Sequence, residues 1–85
     1  MFIIFLELTG RFCVHENSFK YVYDICSLTE KGKLFKISDE YDTYKIENIQ
    51  YKELNSLKSI LNDENILFSV KNQKYWKIFR KINIF

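Results

Sequence analysis

Apolar and polar residues alternate along much of the first half of the chain, and a period of two is typical of β-strands. Residues 2–8 are apolar on almost all of both faces of an extended strand, which predicts a strand in the interior of a sheet. A turn at residues 9–10 and a short strand at 12–14 would complete an N-terminal hairpin. Aromatic and β-branched residues alternate over residues 19–28, so this segment is also predicted to be a strand.

The middle of the chain predicts a further pair of strands, residues 34–38 and 44–49, which follow a turn at 29–32 and flank an acidic loop at 39–42. An apolar stripe then replaces the alternation, with members three or four positions apart: Tyr51, Leu54, Leu57, Ile60 and Leu61. This spacing predicts one amphipathic helix over residues 50–62.

Asn48 is predicted to cap the start of this helix, and the polar residues 62–65 to end it. The remaining pattern favours two more strands, residues 66–70 and 76–84, joined by a turn at 71–74. The last of these segments also fits a helical stripe, so the pattern leaves both structures open.

Together these elements predict a single globular domain over residues 1–85. Its fold class is α+β: a small antiparallel sheet of about five or six strands with one amphipathic helix packed on one face, in the approximate order ββββαββ. A hydrophobic fraction of 47% argues against a disordered binding segment.

Charge is distributed unevenly. All eleven Asp and Glu residues precede residue 65, whereas residues 65–85 carry five Lys or Arg and no acid. We define the basic-aromatic segment as the candidate residues for binding a partner or a nucleic acid: Lys71, Lys74, Tyr75, Trp76, Lys77, Phe79, Arg80 and Lys81. Such a mixture can neutralise phosphates and stack on bases, but it is also what core aromatics beside solvated lysines would give. The net charge of +2 is small for a dedicated nucleic-acid binder.

A second charged group precedes the predicted helix, and we call it the acidic cluster: Asp39, Glu40, Asp42 and Glu47. Its spacing lacks the alternating ligands and central glycine of an EF-hand. A solvated turn accounts for it, and the functional alternative is an acidic docking surface for a basic groove on a partner.

Candidate metal and catalytic residues are few. Cys13, His15 and Cys26 could supply zinc ligands, but their spacing lacks the short paired motifs of structural zinc sites. No glycine-rich loop or nucleophile elbow surrounds either thiol, so we expect no enzyme, no metal and no cofactor. A weaker alternative is a toxin-like nuclease that uses His15 with Glu16 or Glu47.

Isolated cysteines and the lack of a predicted signal or membrane segment favour a reducing, cytoplasmic setting. The chain is rich in Ile, Lys, Asn, Phe and Tyr and has no Ala or Pro, as expected of an AT-rich genome such as that of a low-GC bacterium, its phages or its plasmids. These features favour a small non-enzymatic protein-interaction module, of the kind by which a phage or mobile element blocks a protein or nucleoprotein partner. Anti-defence proteins, including anti-CRISPR inhibitors, are alike in size and style and not in sequence.

Two alternatives remain beside this hypothesis. The first is a nucleic-acid-binding protein that uses the basic-aromatic segment. The second concerns assembly: a homodimer could pair through sheet edges and exposed aromatic residues such as Tyr41, Tyr44 or Phe85. The sequence leaves open the identity of the partner and the surface that contacts it.

Overall fold

A computed structural model describes residues 1–8, 18–38 and 40–74 of the chain. Within these residues the elements are β1 (Phe2–Glu7), α1 (Ser18–Cys26), β2 (Lys33–Ser38), β3 (Thr43–Ile49), α2 (Tyr51–Asp63) and β4 (Leu67–Asn72). The strands form one antiparallel sheet in the order β2-β3-β1-β4. The α+β class is confirmed, and the described residues form four strands and two helices.

The order of elements, βαββαβ, together with this strand order is the topology of the ferredoxin-like split βαβ motif. Helix α1 connects β1 to β2, and helix α2 connects β3 to β4. Buried residues of both helices belong to one core cluster with the sheet, so both helices cover the same face. Because many unrelated functions occur on this topology, it carries no functional argument by itself.

β1 lies in the interior of the sheet, as its apolar pattern predicts. It pairs with β3 on one side and with β4 on the other, so that Phe2 opposes both Ile49 and Asn72. Ile3, Ile4 and Leu6 are at most 2% exposed. The side chains of a strand that has neighbours on both edges and packing on both faces are shielded from water, and such a strand is therefore apolar on both faces.

The prediction of a strand over residues 19–28 is wrong, because Ser18–Cys26 form helix α1. Val22, Ile25 and Cys26 are buried, and their spacing of three and one places them on one face of a helix. The alternating aromatic residues that suggested a strand divide instead between faces, and Phe19 and Tyr23 are exposed. The predicted order ββββαββ is therefore not confirmed.

The core lies between the helices and one face of the sheet. Its buried members are Ile4, Leu6, Leu8, Val22, Ile25, Cys26, Tyr44, Ile46, Ile49, Leu54, Leu57, Leu61 and Ile66. The predicted amphipathic helix is confirmed as α2, since its apolar stripe supplies Leu54, Leu57 and Leu61 to this cluster. Its position on one face of the sheet also agrees with the prediction.

Local sequence fixes both ends of α2. At the start, the side chain of Glu53 accepts a hydrogen bond of 2.9 Å from the Gln50 backbone N–H, as in a capping box. At the end, Asn65 adopts a φ of 56°, and the Ile66 N–H donates to the Leu61 carbonyl at 2.9 Å. This bond and the positive φ of Asn65 belong to a Schellman motif at the C-terminal end of the helix. The predicted end of the helix at 62–65 is therefore confirmed.

The predicted cap Asn48 does not precede the helix directly, since Gln50 is the N-cap residue. Asn48 lies within β3 with a φ of 65°, beside an irregularity in the pairing of β1 with β3. Its side chain binds Gln73. The predicted turn at 71–74 starts later than expected, because β4 continues to Asn72 and Gln73 is buried.

Several predicted elements lie outside the described residues: the turn at 9–10 and the strands at 12–14 and 76–84.

Candidate interaction surface

The sheet face opposite the helices, which we call the outer face, carries side chains from all four strands. The register of the strands arranges them in three rows across β2, β3, β1 and β4. The first row is Thr43, Glu7 and Leu67, and Ile37 lies next to it because the register of β2 shifts so that Ser38 is opposite Thr43. The second row is Phe35, Lys45, Phe5 and Ser69. The third row is Lys33, Glu47, Ile3 and Lys71, where the pairing of β1 with β3 is irregular and Ile3 is fully buried.

Charged groups near the middle of the outer face are paired with each other. The Lys45 Nζ lies 2.8 Å from the Glu47 Oε2, and both side chains are less than one-fifth exposed. The same Nζ lies 5.1 Å from the centroid of the Phe35 ring, within the range of a cation–π contact. Lys45 and Glu47 therefore have little charge left to offer a ligand.

Exposed apolar side chains lie at the two sides of the outer face. On β2, Phe35 is 42% and Ile37 51% exposed, and on β4 Leu67 is 66% exposed. Between Ile37 and Leu67 a groove of about 350 Å³ crosses the sheet. Its lining residues are Phe5, Leu6, Glu7, Ile37, Thr43, Tyr44, Leu67, Phe68 and Ser69.

The groove is mostly apolar, and Glu7 is the charged residue in its lining. An apolar concave surface with exposed Leu and Ile at its ends is suited to bury apolar side chains of another molecule. The site residues predicted from the sequence do not include Ile37, Phe35 or Leu67. Their signal, an apolar residue on the second face of a strand, is visible only once the sheet order shows which face the helices cover.

The basic-aromatic segment is described only at its first two residues, and Tyr75, Trp76, Lys77, Phe79, Arg80 and Lys81 lie outside the described residues. Lys71 is exposed on β4, and Lys74 is exposed just beyond it. The Lys74 backbone N–H donates to the Asn72 Oδ1 at 3.0 Å, a local turn that ends the strand. The two described lysines belong to one end of the β4 edge.

The acidic cluster does not form one shared surface among its described members. Asp42 accepts a hydrogen bond of 2.7 Å from the Tyr44 hydroxyl, whereas Glu47 is paired with Lys45 on the outer face. Asp42 and Glu47 are separated by five residues of extended chain, or roughly 16 Å. Glu40 is exposed, and Asp39 lies outside the described residues.

Tyr44 was expected to be an exposed aromatic residue for pairing between subunits, and this expectation is wrong. Its side chain is fully buried in the core, whereas Tyr41 is exposed. Burial, together with the nearby Asp42 carboxylate, raises the pKa of Tyr44 above its ordinary value. Phe85 lies outside the described residues.

The candidate zinc and nuclease residues Cys13, His15 and Glu16 lie outside the described residues. Cys26 is buried in α1, and burial raises the pKa of its thiol, which disfavours the thiolate that metal binding and nucleophilic attack require. Among the residues that the structure describes, no group of three His, Cys, Asp or Glu side chains could hold a metal ion.

None of the helices in the described ranges has the length and apolar character needed to cross a membrane.

Comparison with protein-family models, with curated proteins and with solved structures found no match to this chain.

Proposed function

We propose that this protein is a non-enzymatic binding module that recognises another protein through its outer face and blocks it by occupation of a surface. The apolar groove between Ile37 and Leu67 is the observation that carries this proposal. Exposed apolar patches bordered by polar residues mark protein-binding sites more often than chance exposure of single residues does.

The polar border is present around the groove. Glu7 and Thr43 lie within it, the Lys45–Glu47 pair lies on its flank, and Lys33 and Lys71 are exposed in the third row. Protein interfaces combine an apolar centre with such a polar rim. Charges on the rim contribute to the rate and specificity of association more than to affinity.

The kind of partner is proposed from the sequence. An AT-biased composition, a single small domain and the lack of a catalytic motif support an inhibitor of the phage or mobile-element type, with an anti-defence or anti-CRISPR mode of action as one form. In that role the protein needs only a surface complementary to its target.

Nucleic-acid binding is the second candidate function, and the observation that favours it is the exposure of Lys71 and Lys74 at the start of the basic-aromatic segment. In RNA-recognition domains with a four-stranded sheet, aromatic residues on the open face stack on bases. Here the outer face of β3 presents Thr43, Lys45 and Glu47, and the aromatic residues of the outer face are Phe5 on β1 and Phe35 on β2. The Glu7 carboxylate on the same face would repel phosphates, and Lys45 is already paired with Glu47, which ranks this function second.

The proposal is tested by placing a photoreactive benzoylphenylalanine at Ile37 or at Leu67 and irradiating the protein in a native lysate of the source organism. We expect the same discrete protein adduct from both positions, since both line one groove. Asn55 is the matched control, because it is exposed on α2 on the other side of the molecule and should give no such adduct. The adduct from Leu67 should be lost in the Ile37→Glu background.

The absence of a protein adduct, or an equal yield from Asn55, would overturn the proposal. A parallel titration of fluorescent DNA and RNA over a salt series tests the second candidate. Tight binding that falls steeply with salt, and that is lost in a Lys71→Ala, Lys74→Ala variant, would place nucleic acid first.

A further inference from the structure

We propose that strand β2 takes an extended segment of the partner protein as an added strand, and that this segment carries an acidic residue opposite Lys33 and apolar residues opposite Phe35 and Ile37. The inference rests on the proposed protein-binding function and specifies its partner chemistry. Peptide addition to a sheet edge is a recurrent recognition mode in which main-chain hydrogen bonds give affinity and alternate side chains give specificity.

β2 is suited to this role by its position. It lies at the edge of the sheet, where β3 is its neighbour within the described chain. An edge strand presents N–H and C=O groups along its outward side. Its six residues, Lys33–Ser38, extend over about 20 Å, which accommodates a segment of similar length.

The charge of β2 selects an acidic partner. Lys33–Ser38 contain two lysines and no acid, and Lys31 precedes them. On β3 the residue opposite Lys33 is Glu47, but the Glu47 carboxylate lies 2.8 Å from the Lys45 ammonium. Lys33 is exposed, and a carboxylate on an incoming strand directly opposite it would form a favourable cross-strand pair.

The apolar residues of β2 determine the rest of the pattern. Phe35 points to the outer face together with Lys33, because residues two apart share a face. Ile37 lies at the irregularity in the pairing of β2 with β3, and its contact with the groove places it on the same face. Phe35 and Ile37 are both exposed. Apolar side chains opposite these two residues would extend the groove beyond the present edge of the sheet.

A second copy of this chain is a poorer occupant of the same edge. Antiparallel pairing of two β2 strands would bring four lysines and no acid into one ladder, and like charges across strands are destabilising. Lysine on an edge strand is a device by which proteins avoid self-pairing. The charge pattern therefore favours an acidic strand from a different protein over a homodimer at this edge.

The probe for this proposal is a fluorescein-labelled peptide with the sequence Thr-Val-Glu-Ile-Val-Glu-Thr, blocked at both ends. In antiparallel register its Val-Glu-Ile-Val-Glu residues face Ile37, Lys36, Phe35, Leu34 and Lys33 in turn. Binding to the full chain is measured by fluorescence anisotropy at about 0.15 M salt, where the Debye length is about 8 Å. Backbone amide NMR shifts show which strand responds, and they should concentrate in β2.

The decisive variants are Lys33→Glu and Lys71→Glu. Both lysines are exposed in the third row of the outer face, at opposite edges of the sheet, so they change the net charge equally. We expect Lys33→Glu to weaken binding by roughly five- to thirtyfold, because an attractive cross-strand pair becomes repulsive. Lys71→Glu should change it by less than about twofold, since exposed charges this far apart are largely screened.

Two control peptides complete the design. A peptide with Lys in place of both Glu residues should bind the Lys33→Glu variant better than the native chain, which distinguishes a pairing effect from a damaged fold. A peptide with Pro in place of both Ile and the Val that follows it should lose binding, because one of two successive N–H groups faces β2 in either register and Pro lacks that N–H.

Failure of the peptide to bind, equal losses from Lys33→Glu and Lys71→Glu, or full binding of the Pro peptide would each overturn strand addition at β2. Sedimentation that shows a dimer disrupted by Ile37→Glu would overturn it by assigning the edge to a second copy. Photo-adducts at Ile37 without peptide binding would leave the protein-binding function standing, whereas the absence of photo-adducts removes that function itself.

Discussion

Gln73 ties the end of β4 to the irregular part of β3. The Gln73 side chain is polar and yet buried, with 5% of its surface exposed. Its Oε1 accepts a hydrogen bond of 2.9 Å from the Asn48 backbone N–H, and its Nε2 donates one of 2.8 Å to the Asn48 Oδ1. The Gln73 backbone N–H also donates to the Met1 carbonyl at 2.9 Å.

The substitution Gln73→Met keeps nearly the same side-chain length and removes both side-chain hydrogen bonds. The Asn48 side chain is only partly buried and can turn towards water, so the main cost comes from its backbone N–H. A buried group left without a partner costs about 1–3 kcal/mol, and we expect a loss of about 2 kcal/mol. A domain of this size has a total stability of roughly 4–13 kcal/mol, so the loss is a substantial fraction.

The assay is urea unfolding followed by far-UV circular dichroism. With a slope of about 1–2 kcal/mol per molar urea, the midpoint should fall by about 1–2 M. Asn48→Gly serves as the second variant, because Gly adopts the positive φ without strain and keeps the backbone N–H. Asn48→Gly leaves the buried Gln73 Nε2 without its acceptor, and the relieved strain offsets that cost only in part, so the loss should be about 1 kcal/mol.

A double-mutant cycle isolates the contact between the two side chains. Because both single variants remove the bond between the Gln73 Nε2 and the Asn48 Oδ1, the double variant should lose about 1 kcal/mol less than the sum of the two single losses. A loss below about 0.5 kcal/mol for Gln73→Met, or full additivity in the cycle, would refute this account of the contact.

Three further predictions follow from the same structure. Gly32→Ala should destabilise the domain by about 1–3 kcal/mol, because an added Cβ would collide with the Thr29 Oγ1. Thr29→Ala in the same chain should recover only part of that loss in urea unfolding, because it removes the collision together with the hydrogen bonds of the Thr29 hydroxyl. The contribution of Tyr44 to stability should be constant through neutral pH and be lost as pH rises above about 10, because Tyr44 has a raised pKa in the folded state and the unfolded state therefore releases its proton first. The Cys26 thiol, whose pKa is also raised, adds a decline that Tyr44→Phe leaves in place, so urea midpoints from pH 8 to 11 should show a smaller decline in Tyr44→Phe, and an equal decline would contradict the assignment. Leu61→Ala should cost about 2–5 kcal/mol, because the side chain is 1% exposed at the end of α2; a midpoint shift equivalent to less than about 1 kcal/mol would show that the site collapses around the smaller residue.

The elements predicted correctly from the sequence are those in which the spacing of apolar residues fits a strand or a helix but not both. β1 could be placed inside the sheet because both of its faces are apolar, and α2 could be bounded because its stripe and its terminal residues agree. The helical structure of α1 depends on its contacts with the core and not on the propensity of its residues. Phe19, Tyr21 and Tyr23 have strand propensity, yet burial of Val22 beside Ile25 and Cys26 outweighs it, since a nine-residue helix needs only these contacts to reach the core.

The candidate surface was less accessible to sequence reasoning than the fold. The acidic cluster looked continuous along the chain, but register separates Asp42 from Glu47 and supplies each with its own partner. The groove depends on which strands lie side by side, and Ile37 and Leu67 are 30 positions apart. No local pattern encodes that proximity, because it arises from pairings between strands distant in sequence.

The central place of β1 also has a consequence for the time course of folding. The strand is synthesised before either of its neighbours, and its pairing Phe2↔Asn72 joins the first strand to the end of the last one described. At about 5–20 residues per second, the ribosome needs roughly 3–14 s to add the residues between them. During the first part of that interval an apolar strand has neither of its neighbours in the nascent chain, and closure of the sheet is a late, non-local event.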